Sequence, residues 1–336
     1  MLLSHLTTSL LTLSTALALP SHPSRPSHPA NPPAPTPLPL ILWHGLGDTY
    51  DAEGLQSIAS LASRINPNTY VYTIRLSNTS SLDRRATFFG NLTTQLETVC
   101  DELAKHPILS VAPAVNALGF SQGGQFLRGY VEKCNNPPVK NLVTYGSQHN
   151  GIAKFQKCKA ADLLCESVAA LLKANTWGVA QSTLIPAQYY RDPEDLDTYL
   201  ENSNWLADVN NERATKNKTY AENIASLNKF AMYLFKDDET VVPRQSGWFA
   251  EVNSTTGNTT LLRERKLYQE DWLGLKKLDE KGGLVFREVE GKHMELDQKN
   301  LEDVFKEFFA AEEEEKEESW FARTQGWAQK VLSHVR

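Results

Sequence analysis

Residues 115–124 read Val-Asn-Ala-Leu-Gly-Phe-Ser-Gln-Gly-Gly, which sets Gly119, Ser121 and Gly123 in a G-x-S-x-G pattern. Such a serine carries chemistry in one setting: the sharp turn between a strand and a helix, where its hydroxyl stands exposed. The flanking sequence supplies that setting. An apolar run, Pro113–Leu118, comes before the turn, and Phe126, Leu127, Tyr130 and Val131 recur at helical spacing after it. Glycine on both sides lets the backbone turn where a side chain would collide. The helix N-terminus favours an anion developing at the serine. The same stretch also suits a glycine-rich turn whose serine only caps the helix, so the choice rests on whether partners exist elsewhere in the chain.

A serine hydroxyl becomes a nucleophile when a base lies within reach and a carboxylate orients that base. For this kind of turn the chain order is Ser, then Asp or Glu, then His. Of the 8 histidines, His5, His22, His28, His44 and His106 precede Ser121, His149 follows too early, and His334 lies in the tail. His293 remains, just after the strand-like run Leu284–Val289. Functional residues of open α/β sheets sit on loops at the carboxyl ends of strands, which is where His293 falls. The carboxylate should follow an earlier strand. Ala231–Phe235 is that strand, and Lys236-Asp237-Asp238 ends it. Pattern alone leaves Asp237 and Asp238 nearly even, with Glu239 third. An oxyanion needs two backbone N–H donors. The residue after the nucleophile, Gln122, supplies one, and Leu46 in the first loop of the sheet, His44-Gly45-Leu46-Gly47-Asp48, is the candidate for the other.

These residues need a scaffold, and the sequence outlines one. Leu38–Trp43 and Thr69–Ile74 read as strands, Phe88–Lys105 as a helix, and Leu142–Tyr145, Lys229–Phe235 and Leu284–Val289 as further strands, with a last helix at Leu301–Phe309. Strands alternating with helices imply a mostly parallel, doubly wound sheet. Residues 152–228 break the alternation and read as a largely helical insertion above the sheet. Its apolar residues Val168, Leu171, Leu172, Trp177, Val179, Leu184 and Ile185 are either ordinary core or the wall of an apolar channel.

The formal net charge of −6 is concentrated in a run from Glu312 to Glu318, so the body is close to neutral and carries no basic nucleic-acid footprint. Residues 1–18 end in Ala-Leu-Ala after a short apolar stretch, the form of a signal peptide, and the stretch is too short for a membrane anchor. Residues 19–37 form a proline-rich linker, the folded body is expected over 38–310, and 311–336 form an acidic run and tail. Cys100, Cys134, Cys158 and Cys165 fit an oxidising compartment, though 4 cysteines allow three pairings and sequence does not choose among them. N-x-[ST] sequons at Asn78, Asn91, Asn217, Asn253 and Asn258 point the same way. No metal-ligand spacing and no G-x-G-x-x-G is present, so no cofactor is implied.

Several blocks in one order resemble the palmitoyl-protein thioesterase family of α/β hydrolases. They are Leu-Ile-Leu-Trp-His-Gly-Leu-Gly-Asp from Leu40, Gly-Phe-Ser-Gln-Gly-Gly-Gln-Phe-Leu-Arg from Gly119, Gly146–Gly151, Ala207–Arg213, Ser246–Phe249, Leu273–Lys276 and Glu290–His293. The resemblance spans about Leu38 to Ala310. It implies Ser121 as nucleophile, His293 as base, Asp238 rather than Asp237 as the orienting carboxylate, and bridges Cys100–Cys134 and Cys158–Cys165. It further implies hydrolysis of palmitoyl thioesters on S-acylated proteins or peptides through an acyl-enzyme, no cofactor, no transmembrane anchor, an acyl-binding region in the insertion, and a lysosomal, vacuolar or secreted location. The chain departs from the animal relatives in lacking two adjacent cysteines after His-Gly-x-Gly-Asp and in carrying Asp237 where they have a sequon asparagine. The same triad would also serve a lipase or carboxylesterase, and an inactive hydrolase fold used for binding is the rival from another class.

Overall fold

The computed structural model describes residues 36–155 and 163–311. The expected signal segment, most of the proline-rich linker, Cys158 and the acidic tail lie outside the described residues, as do the side chains of Cys165 and Val168.

The sheet contains β1 (Leu40–Trp43), β2 (Val71–Thr73), β3 (Val115–Phe120), β4 (Val139–Tyr145), β5 (Lys229–Phe235) and, after the two-stranded hairpin β6 (Glu251–Val252) and β7 (Thr259–Thr260), β8 (Leu284–Val289). The sheet order is β2-β1-β3-β4-β5-β8, and every pairing within it is parallel. Its inner strands β1, β3 and β5 are almost continuously apolar because both faces are covered there, while the edge strands β2 and β8 are partly exposed. Alternate residues go to opposite sides. Ile41, Trp43, Ala117, Leu142, Phe230 and Met232 pack on one side with α3 (Leu92–Lys105), α4 (Gln122–Lys133), α10 (Lys218–Ser226) and α12 (Leu275–Glu280). Leu40, Leu42, Leu118, Phe120, Val143 and Tyr145 pack on the other with α1 (Glu53–Ile65) and α13 (Gln298–Phe308).

The chain runs from β1 outward to β2 and then back past β1 to β3. That reversal opens a crevice at the carboxyl ends of β1 and β3, the place where doubly wound sheets hold their ligands. His44 follows β1 and Ser121 follows β3, so the sheet order alone brings the two loops together.

Local chemistry moves some boundaries from the expected ones. The helix expected over Phe88–Lys105 starts at Leu92, because Asn91 caps it by accepting the Thr94 N–H at 3.1 Å and Gly90 sits at φ 136°. The helix expected from Leu301 starts at Gln298, where Asp297 accepts the Asn300 N–H at 3.0 Å. Neither α1 nor the short α2 (Ser80–Ala86) has a counterpart in the sequence reading. Between β4 and β5 the chain is helical, as expected, with α5 (Leu163–Asn175), α6 (Ala180–Thr183), α7 (Ile185–Gln188), α8 (Leu196–Asn202) and α9 (Leu206–Val209) before α10. Among the described residues no helix is long and apolar enough to cross a membrane. The short helix α11 (Lys266–Gln269) completes the elements.

Candidate active site

Ser121 lies between the last residue of β3 and the first of α4, with φ 51° and ψ −122°. A non-glycine residue in that region costs on the order of 1–3 kcal/mol and persists only where its surroundings over-determine it. Here they do. The Ser121 N–H donates to the Tyr145 carbonyl at 2.7 Å, and its own carbonyl accepts from Gly124 N–H at 3.1 Å. The flanking glycines are steric necessities. A Cβ on Gly119 would lie 2.4 Å from Gly124 Cα, and one on Gly123 would lie 2.4 Å from the carbonyl oxygens of Trp43 and His44. The turn therefore packs directly onto the end of β1, and α4 behind it is buried from Gln122 to Glu132.

Asp238 and His293 reach this serine from the ends of β5 and β8, beyond β4 in the sheet. Asp238 follows β5, and its Oδ1 accepts the N–H groups of Thr240 at 2.8 Å and Val241 at 3.0 Å. That leaves Oδ2 for His293 Nδ1, 2.7 Å away. A carboxylate only accepts, so the proton of the neutral ring sits on Nδ1 and Nε2 carries a lone pair. Nε2 lies 2.9 Å from Ser121 Oγ. Glu295 fastens the loop by accepting the Lys292 N–H at 2.9 Å, and the Phe235 ring lies beside the imidazole, centroid 6.1 Å away. Asp237 and Glu239 are exposed. His149 is also elsewhere: its Nε2 engages Thr144 Oγ1 at 3.0 Å, its ring stacks on Phe249, and burial pushes it well below the usual imidazole range.

Gln122 opens α4, so its N–H is one of the donors a helix leaves unpaired. Its side chain is pinned at both ends, donating to the Thr87 carbonyl at 3.2 Å and accepting from Tyr189 Oη at 3.0 Å. Burial pushes the Tyr189 phenol far up, so it stays protonated as that donor. Leu46 lines both cavities that contain Ser121.

The first of these cavities is narrow, is walled by Leu46, Phe88, Ile152, Phe155, Leu172 and Val241 among others, and is mostly apolar. The second, about 540 Å³, is wider and is lined by His293, Asp48, Arg84 and the α1 residues Leu55 and Ile58. The apolar wall differs from the one expected. Leu172 contributes, but Leu171 and Val179 are 43% and 62% exposed, and Leu184 and Ile185 are buried in packing. Trp177 packs on Tyr190 and Tyr199. The cavity is instead shared: Leu172 and Ala169 come from α5, while Phe88, Ile152 and Val241 come from segments that follow α2, β4 and β5. An apolar residue count cannot tell the cavity face of α5 from its outer face, because leucines stand on both: Leu172 on one, Leu163 and Leu171 on the other.

Cys100 and Cys134 form a disulfide with Cα atoms 6.0 Å apart, tying α3 to the end of α4. Asn78, Asn217 and Asn258 are exposed, and Asn91, Asn217 and Asn253 use their side-chain oxygens to cap or turn the backbone. Among the described residues no group of three or more His, Cys, Asp or Glu side chains is placed to hold a metal.

The family described as palmitoyl protein thioesterase matches residues 39–293. Palmitoyl-protein thioesterase 1 of Caenorhabditis elegans is 34% identical over 81% of this chain and 92% of its own length. Palmitoyl-protein thioesterase 3 of Dictyostelium discoideum is 31% identical over 81% and 89%. A lysosomal thioesterase PPT2 homolog of Drosophila melanogaster is 28% identical over 74% and 82%.

Proposed function

The chain belongs to the palmitoyl protein thioesterase family, and on that premise we propose that it hydrolyses palmitoyl thioesters of S-acylated proteins and peptides with Ser121, His293 and Asp238. The observation that carries this reading is the unbroken line from Asp238 Oδ2 through His293 to Ser121 Oγ, 2.7 and 2.9 Å, at the mouth of an apolar cavity.

Ser121 Oγ bonds to the acyl carbon as His293 Nε2 takes its proton. Asp238 holds the Nδ1 proton and stabilises the imidazolium. The carbonyl oxygen becomes an anion held by the N–H groups of Gln122 and Leu46. Collapse breaks the carbon–sulfur bond, and the leaving cysteine sulfur receives the proton from His293. A thiol of pKa about 8.5 leaves readily. A water then gives its proton to His293 and attacks the acyl-enzyme, and the fatty acid departs as Ser121 recovers its proton. The apolar cavity takes the acyl chain, at roughly 0.8 kcal/mol per buried CH₂.

The proposed setting is lysosomal, reached through a signal segment at residues 1–18. Supporting it are the Cys100–Cys134 bond, the exposed sequons and the lysosomal thioesterases among the relatives. The deciding experiment compares a palmitoyl-cysteine peptide with the matched palmitoyl-serine peptide. Wild-type protein should prefer the thioester, and Ser121→Ala should abolish both activities. Equal or greater turnover of the oxygen ester would favour a lipase or carboxylesterase instead.

A further inference from the structure

Resting on that reading of the site, we propose that Thr87, the residue that ends α2, is a positioning residue that sets the distance between the two oxyanion donors. The loop that carries Leu46 has a backbone turn of its own, with the Asp48 N–H donating to the Gly45 carbonyl at 3.3 Å, and it is braced from outside. Three side-chain hydrogen bonds and one close His–Asp contact from the α2 segment hold it in place. At its start, His44 Nε2 lies 2.9 Å from Asp83 Oδ2, and near its end the same Oδ2 accepts the Tyr50 N–H at 2.9 Å. In the middle, Arg84 Nε donates to the Gly47 carbonyl at 2.9 Å, and the Gly47 N–H donates to Thr87 Oγ1 at 2.9 Å. Leu46 lies between the clamped points.

Thr87 does something the other clamps do not. Its hydroxyl accepts from Gly47 on the Leu46 arm, and its carbonyl accepts Gln122 Nε2 at 3.2 Å on the other arm. One buried residue, 1% exposed, thus joins both segments that donate to the oxyanion. The hydroxyl has no rotational freedom left, because it also donates to the Arg84 carbonyl at 2.7 Å. A donor pair is useful only if both N–H groups converge on the position the anion will occupy, and removing one such donor costs roughly 10²- to 10³-fold in kcat. A bridge between the arms keeps them converged with no reorganisation during the reaction. Nothing in the G-x-S-x-G pattern calls for it, since Thr87 lies 34 positions before Ser121.

The test uses Thr87→Val, which deletes the hydroxyl at nearly constant shape, and Thr87→Ser, which restores it. Each is compared with wild type for kcat and KM on a palmitoyl-cysteine peptide, for inhibition by a long-chain alkylboronic acid, and for binding of palmitate. The boronic acid accepts a bond from Ser121 Oγ while the proton moves to His293, giving a tetrahedral anion with one oxygen at the oxyanion position. Palmitate reports the acyl cavity. Thr87→Val should lose about 10- to 100-fold in kcat and in boronic acid affinity, less than full donor removal, with KM and palmitate binding unchanged. Thr87→Ser should stay close to wild type. A folded Thr87→Val with wild-type kcat and boronic acid affinity overturns the proposal, and so does an equal loss in palmitate binding. If Thr87→Val does not fold, Gln122→Met removes the other half of the bridge, the bond to the Thr87 carbonyl, while keeping the backbone N–H. It must show the same split, and an unchanged kcat there also overturns the proposal. A wild-type protein that neither cleaves the thioester nor binds the boronic acid would overturn this proposal together with the reading of the site beneath it.

Discussion

Two histidine–aspartate pairs flank Ser121, and their contact distances nearly coincide: 2.7 Å for His293–Asp238 and 2.9 Å for His44–Asp83. They differ in what the second ring nitrogen meets. For His293 it is a serine hydroxyl at 2.9 Å, and for His44 it is the Gly45 carbonyl at 3.1 Å. A hydroxyl can surrender a proton and a carbonyl cannot. They differ too in access, since the side chains of His44 and Asp83 are fully buried while His293 is 14% exposed. One pair can move a proton and the other can only hold a loop. A short His–Asp contact is therefore no evidence of catalysis until its far end is examined.

Substituting the two aspartates should separate these roles. Asp238→Asn should lose activity by about 10⁴-fold, because the oriented ring and its compensating charge go together. Its stability should change little, since the Asn oxygen can still accept from Thr240 and Val241. Asp237→Asn should leave turnover near wild type. Reversed effects at 237 and 238 would remove Asp238 from the site. Asp83→Asn should instead cost stability first, and activity only through the loop that carries Leu46. Both Asp83 oxygens accept backbone N–H groups, from Leu76 and Tyr50, and an amide cannot serve both. Urea unfolding should show a loss of roughly 2–5 kcal/mol. A variant as stable as wild type would show that this pair is not the structural one.

The contrast extends to neighbours on α5. Leu172 faces the apolar cavity and Leu171 is 43% exposed. Leu172→Arg should cut palmitoyl turnover at least about tenfold more than acetyl turnover, because it places a charge where methylenes bind. Leu171→Arg should leave the ratio unchanged. A flat chain-length profile for both variants would move the acyl chain elsewhere.

The smallest effect concerns pH. Glu132, fully buried against Arg128 at 2.7 Å, is pushed up to about 7 by burial, which outweighs the pull of Arg128 and Lys133. Its folded pKa exceeds its unfolded one, so its contribution is present in full below about pH 4.5 and is lost as pH rises through about 7. Asp83 runs in the opposite sense. Burial raises it, but His44 and the N–H groups of Leu76 and Tyr50 outweigh burial and hold it below the usual carboxylate range. Its contribution is lost as pH falls through that lowered value. Glu132→Gln should flatten the fall in Tm between pH 4.5 and 7, an effect on the order of 1–3 kcal/mol. An unchanged pH profile would show that Glu132 is ionised throughout.

Much of the scaffold was legible because it is written in local pattern. The apolar runs of β1, β4, β5 and β8 and the helical spacing after Ser121 are short-range signals, and the observed elements follow them closely. The missing helices α1 and α2 have weaker signals. In α2 the buried residue is Asp83, so no apolar stripe announces it. The oxyanion clamp was illegible for the same reason: His44 falls before Ser121 and was excluded by chain order, and Thr87 belongs to no motif.

By itself the sequence picked out the Ser121 turn, His293 as the candidate base and the strands that carry them, since each depends on residue types at fixed spacing along one segment. Local pattern left Asp237 and Asp238 nearly even and only the family resemblance chose between them; the tertiary structure is what brings Asp238 to His293, turns Leu172 rather than Leu171 to the cavity, and joins the Gly47 and Gln122 segments through Thr87. Adjacent residues of equal chemistry differ there only in direction. That direction is set by contacts between segments tens to hundreds of residues apart, which no local spacing records.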